Sequence, residues 1–192
     1  MKPLLFLLLS VAFTSCMKEK NETNQVTSTD TVHKTAEIKT EPAATNEKSI
    51  EFNYATETLG NWLKIGTEEK TVKAKIGEDF KVSVLGESQV SGFYEEEWLF
   101  AKQGLKLLME SENPESQKTV AQFTVTAPSK LKTLKGIGIG STKAEILSAY
   151  HGQINTEEAT DDTIIVGSIY EGLFFTMKKD IVEEIFIGAI AE

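Results

Sequence analysis

The densest carboxylates in the sequence are Glu95-Glu96-Glu97 and Asp161-Asp162. Oxygen ligands at that density suit a hard cation such as calcium, but a calcium loop also needs ligands at set intervals around a turn glycine. Neither run has that spacing, so both read as solvated charged loops and no metal site is expected. His151 precedes Gly152 at the close of an apolar-periodic segment, where a helix end favours a cation. No Ser or Cys stands near it in the pattern of an activated nucleophile, so a structural role is expected. Lys135-Gly136-Ile137-Gly138-Ile139-Gly140 has the glycine density of a phosphate loop. It lacks the closing Gly-Lys-Ser/Thr order and a parallel βαβ setting, and that reading is rejected. With 2 His and 1 Cys, the 192-residue chain is too poor in ligands for a zinc site or a disulfide. No cofactor motif is present either, and the chain is expected not to be an enzyme.

Charge excludes another class. The chain carries 20 Lys+Arg against 29 Asp+Glu, a formal net charge of −9, and every one of the 20 is lysine. Excess negative charge repels a phosphate backbone, and the missing guanidiniums remove the usual base readers. No nucleic-acid partner is expected.

The one thiol, Cys16, has a specific context. Lys2 forms a positive n-region, residues 4–13 an apolar run, and Thr14-Ser15 a small-residue site directly before Cys16. The run is far short of the roughly 18 residues a membrane span needs. This stretch resembles a bacterial lipoprotein signal, through Phe13-Thr14-Ser15-Cys16. The resemblance implies removal of residues 1–15 and diacylglyceryl attachment at Cys16. It places the protein in the bacterial cell envelope, with the outer membrane as the expected site and its partner membrane reached through the N-terminal lipid. Each buried methylene contributes about 0.8 kcal/mol, so two or three acyl chains anchor stably.

Residues 17–49 hold no aromatic residue and no glycine, and their few apolar residues, such as Val26, Val32 and Ile38, are well spaced. Such a stretch cannot offset its own ordering entropy and reads as a disordered tether. Its mean reach would be about 30 Å. His33 lies within it and reads as solvated. A folded body is expected from residue 50, opening on an alternating strand through Ile50, Phe52 and Tyr54.

An internal repeat organises that body. Residues 63–77 (LKIGTEEKTVKAKIG) align with residues 137–152 (IGIGSTKAEILSAYHG) at an offset of 74, placing Gly66 on Gly140, Thr67 on Ser141 and Val72 on Ile146. Thr67 and Ser141 suit helix N-caps, with a Thr142–Glu145 capping box as the alternative in the second segment. Gly77 and Gly152 suit left-handed C-terminal stops. Each segment predicts a helix of about ten residues, too short to stand alone and therefore docked on a sheet. Strand-like runs follow at 80–85, 97–101, 105–110 and 119–126, and after the second helix at 163–170, 173–178 and 181–190. A long connection at 111–118 and a tight one at 178–180 both fit antiparallel pairing.

The expected architecture is thus α+β: two tandem helix–antiparallel β-meander units, residues 50–130 and 131–192. The pattern Ile139-Gly140-Ser141, Glu145-Ile146 and Gly152, repeated at Ile65-Gly66-Thr67 and Gly77, resembles the units of β-lactamase-inhibitor proteins and of BamE/SmpA-like lipoproteins. The resemblance implies a protein-binding module that uses a sheet face, with an envelope or extracellular protein as partner. A structural subunit of an outer-membrane assembly complex is the alternative, and a cell-envelope enzyme the third reading. Aromatic residues on an open sheet face would mark the recognition surface. The candidates are Trp98 and Phe100, which share one strand face, Phe174, which opposes Leu173 and Phe175, and Phe186, which opposes Ile185 and Ile187.

Overall fold

Antiparallel pairing runs unbroken across seven strands in the computed structural model, which describes residues 51–190. The signal segment, Cys16 and the tether expected over residues 1–49 lie outside the described residues. The chain forms helix α1 (Glu69–Ile76), strands β1 (Lys81–Glu87), β2 (Tyr94–Phe100), β3 (Leu105–Ser111) and β4 (Thr119–Thr126), helix α2 (Lys143–Ala149), then β5 (Thr163–Gly167), β6 (Glu171–Lys178) and β7 (Ile181–Ala189). The order in the sheet is β1-β2-β3-β4-β7-β6-β5, so the fold is α+β with one antiparallel sheet. Pairing of β4 with β7, through Phe123–Ile187 and Val125–Ile185, joins the strands that follow α1 to those that follow α2.

Alternation explains why the sheet has one dry face. In β3, Leu105, Leu107 and Met109 point one way, and Lys106, Leu108 and Glu110 the other. Register carries the first set across the sheet. Leu107 opposes Trp98 on one side and Phe123 on the other, and Leu173 opposes Ile187 beyond. Val72 of α1 and Ile146 of α2, the buried residue of each helix, pack into this same core with Leu59, Leu63, Ile137 and Tyr150. Full burial of such side chains contributes about 1.5–3 kcal/mol each. Bulges at Leu85 and Ala121 shift the register by one residue and reverse the alternation along their strands, so that in β4 the core face passes from Val120 to Phe123 and Val125.

The segments leading into the helices share one hydrogen-bond pattern. Gly66 N donates to Val120 O at 2.7 Å, and Gly140 N to Val182 O at 2.9 Å. Val120 N returns to Thr67 O, and Val182 N to Ser141 O, both at 2.9 Å. Lys64 N donates to Thr67 Oγ1, and Gly138 N to Ser141 Oγ. Thr67 and Ser141 therefore use their hydroxyls to close the preceding turn, and neither is the N-cap. Thr142 caps α2 in a full box with Glu145, whereas Glu68 precedes α1 without a side-chain cap bond.

Two further expectations are corrected. Residues around Tyr54 do not form a strand: Asn53 Oδ1 accepts from Ala55 N and starts a 3-10 turn at Tyr54–Thr56. Glu95-Glu96-Glu97 is not a loop but the middle of β2, where strand alternation sends Glu96 to the core face and its neighbours to the other.

Candidate functional site

The face of the sheet away from the helices carries a cleft of about 930 Å³. Leu108 of β3, Gln122 of β4 and Phe186 of β7 line it. They meet there by register, since Leu108 opposes Gln122, and Phe186 opposes Thr124, which stands two residues from Gln122. The β1–β2 hairpin forms one wall with Leu85, Ser88, Val90 and Ser91. Ser88 N bonds to Phe93 O at 2.8 Å and Gly92 N to Ser88 O at 2.9 Å, which closes that hairpin. Ala189 and Ile190 form the opposite wall. Gln122 Nε2 donates to Ala189 O at 2.6 Å and holds this wall to β4. Much of the lining is bare: Val90 is 77% exposed, Leu85 58% and Ile190 46%.

The charged members of the lining are Glu95 and Glu110, directly opposed across β2 and β3. Ser91 Oγ donates to Glu95 Oε1 at 3.1 Å and orients it. Burial, then the neighbouring Glu95 charge, raises the Glu110 carboxyl above its ordinary value. Tyr54, also at the cleft, has its phenol raised by burial first and then by Glu171 and Glu110, so it stays a protonated donor at neutral pH. The arrangement can bind apolar groups and accept hydrogen bonds from a cation.

The four aromatic candidates divide between the two faces. Trp98 is 3% exposed and Phe100 is fully buried, both in the core. Phe80 stacks on Trp98 at 4.4 Å and lies 4.7 Å from Phe100, and Lys73 sits over the indole at 5.2 Å. These two residues therefore belong to the helix-covered face and are unavailable to a partner. Phe174 and Phe186 lie on the other face, 5.6 Å apart. Phe174 is nearly buried, and Phe186 lines the cleft. The sequence reading missed Glu95 and Glu110 as a pair. Its only available signal was that each falls on the non-core phase of its strand.

Other sequence candidates are occupied structurally. Glu96 accepts from Trp98 Nε1 at 2.9 Å and pairs with Lys118, while Glu97 pairs with Lys106. In the glycine run, Gly136 N donates to Thr133 O, Gly138 N to Ser141 Oγ and Gly140 N to Val182 O, so these amides are not free to cradle a phosphate. His151 is exposed just beyond α2. Among the described residues, no group of three or more His, Cys, Asp or Glu side chains is placed to hold a metal ion. Among the same residues, no helix is long and apolar enough to cross a membrane.

Comparison with known proteins yields no match to a family, to a curated protein or to a solved structure.

Proposed function

We propose that the chain is a membrane-anchored envelope lipoprotein whose folded body is a protein-binding module, with the open sheet face as its contact surface. The observation that carries this reading is the cleft on that face, with Leu108 and Phe186 at its floor and Val90, Leu85 and Ile190 exposed along its walls. Exposed apolar surface of this kind, set beside a few polar groups, is the usual anatomy of a contact site. The N-terminal signal pattern at Phe13-Thr14-Ser15-Cys16 supports lipid anchoring at Cys16.

The finer fold reading belongs here as well. The body is two tandem helix–meander units of the β-lactamase-inhibitor-like kind. The recurrence of the Gly66–Val120 bond as Gly140–Val182, and of Val120–Thr67 as Val182–Ser141, supports duplication, because in each unit a glycine amide and the carbonyl of the next residue clasp one valine of a later strand.

Two experiments test the proposal. A photo-crosslinking residue at Leu108 should capture one recurrent protein in cells, and the same residue at Leu147, exposed on α2, should not. Equal capture from both positions would sink the sheet-face assignment, and identification of an outer-membrane β-barrel as the captured protein would favour the assembly-subunit reading. Fractionation of Cys16→Ala should show release from the membrane pellet, and a variant that stays tightly bound would refute the lipid anchor.

A further inference from the structure

The cleft crosses the strands rather than following one. Its lining runs from Leu85 of β1 through Glu95, Leu108 and Gln122 to Phe186 of β7, five neighbouring strands in the sheet. At about 4.8 Å per strand, that span is about 19 Å, the length of an extended peptide of about six residues. A compact small molecule would leave most of it empty.

Charge selects the occupant further. Like charges directly opposed in a sheet are destabilising, yet Glu95 and Glu110 face each other in an otherwise uncharged lining. Among the described residues, neither carboxylate makes an ion pair: Lys106 is held by Glu97 on this face, and Lys118 by Glu96 on the other. The seryl hydroxyl on Glu95 orients the carboxylate without neutralising it. Burial already works against the Glu110 charge. A cation placed between the two carboxylates would reverse their repulsion and give each a charge-assisted hydrogen bond. Flanking Leu85, Val90, Leu108, Phe186 and Ile190 would meet apolar side chains on either side of it.

We propose that the cleft takes an extended segment of a partner protein, with a Lys or Arg side chain seated between Glu95 and Glu110 and apolar side chains packed against Leu108, Phe186 and the β1–β2 hairpin. The proposal rests on the sheet-face reading above and names the chemistry of what that face takes. Specificity comes from the opposed carboxylates, and most of the contact area comes from the apolar walls.

The test is selection of displayed random heptapeptides on the full chain, followed by measured affinities for the selected peptides. Enrichment of sequences carrying Lys or Arg between apolar residues is expected. The Glu95→Gln/Glu110→Gln double variant, which keeps shape and polarity, should weaken those peptides about tenfold without lowering the thermal midpoint. Selected peptides without a basic residue, or unchanged affinity in the double variant, would overturn the cationic assignment. If such peptides nevertheless lose affinity in Leu108→Gln, the sheet-face reading stands. Peptides indifferent to both changes, or no enrichment at all, would remove both. n-Butylammonium binding as tightly as the selected peptides would replace the peptide segment with a small amine as the occupant.

Discussion

The Tyr150 hydroxyl donates to Glu57 Oε2 at 3.3 Å, joining the end of α2 to a residue 93 positions earlier. The other carboxylate oxygen accepts from Leu134 N at 2.8 Å and Thr58 N at 3.2 Å. Glu57 is only 5% exposed, so one buried side chain ties the start of the body to the segment that precedes α2. Burial, with the adjacent Glu57 charge adding to it, holds the Tyr150 phenol well above its ordinary value and keeps it a donor.

Loss of that carboxylate should be costly. Glu57→Ala takes this acceptor from the buried Tyr150 hydroxyl, and the acceptor of the Leu134 amide with it, and is expected to destabilise by about 1–3 kcal/mol. Glu57→Gln retains an acceptor oxygen and should cost less. Urea unfolding of the two variants checks the order, and equal midpoints would show that the hydrogen bonds contribute nothing.

The two helix starts differ in a measurable way. Thr142 Oγ1 accepts from Glu145 N at 3.2 Å, and Glu145 Oε2 accepts from Thr142 N at 2.7 Å. The backbone bond first, and the hydroxyl second, hold the Glu145 carboxyl below its ordinary value. A depressed carboxyl stabilises above its unfolded pKa, and that contribution is lost as pH falls through the folded value. Thr142→Ala removes the N-cap acceptor and should cost about 1 kcal/mol on that account; the lost hydroxyl bond to the Glu145 carboxylate adds a part that fades in acid. Thr67→Ala should instead loosen the Trp62–Thr67 turn, with no such acid dependence.

Glu110 should behave with the opposite sign. Its folded carboxyl is raised by burial and by Glu95, so the native state binds more protons than the unfolded state between the unfolded and folded values. Stability falls as pH rises through that window. Glu95 and Tyr54 are the titratable groups that face it. Glu110→Gln is expected to raise the thermal midpoint at neutral pH and to leave it unchanged below pH of about 4, where both forms are neutral. A midpoint lowered at neutral pH would show that the carboxylate is structural rather than held for binding.

Glycine positions separate strain from collision. At Gly104, φ is 59°, and an added Cβ would run into Thr126 O and the Ala127 carbonyl. At Gly66, φ is 78° and an added Cβ meets open space. Gly104→Ala should cost at least about 2 kcal/mol through forced backbone movement. Gly66→Ala should cost about 1 kcal/mol from the left-handed conformation alone. Comparable losses would mean that the Thr126–Ala127 segment yields freely.

Local pattern made much of the fold legible before any coordinates. The strand-like run at 119–126 coincides with the bounds of β4, and the tight connection at 178–180 is a two-residue turn with φ of 52° at Lys179 and 61° at Asp180. Both helices fall within the segments read from the repeat, because glycine and apolar spacing are short-range signals, although only the alternative Thr142–Glu145 box, and neither Thr67 nor Ser141, is a cap. At Phe52 and Tyr54 the strand expectation fails, since alternation over so few residues does not distinguish a strand from a capped turn that half-buries one side; Ile50 lies outside the described residues.

By itself, the sequence determined which residues share a face wherever no bulge intervenes, and hence that Trp98 goes with Phe100 while Phe186 opposes Ile185. Only the tertiary structure decided which phase is covered. That choice belongs to α1 and Phe80, which close over Trp98 and Phe100, and to the end of α2, where Tyr150 packs on Phe175; Phe186 is left beside the cleft. Period is a local property of the backbone, whereas burial depends on residues far away in the chain. The same reason hid the Glu95–Glu110 pair, whose carboxylates meet only through the register of β2 on β3.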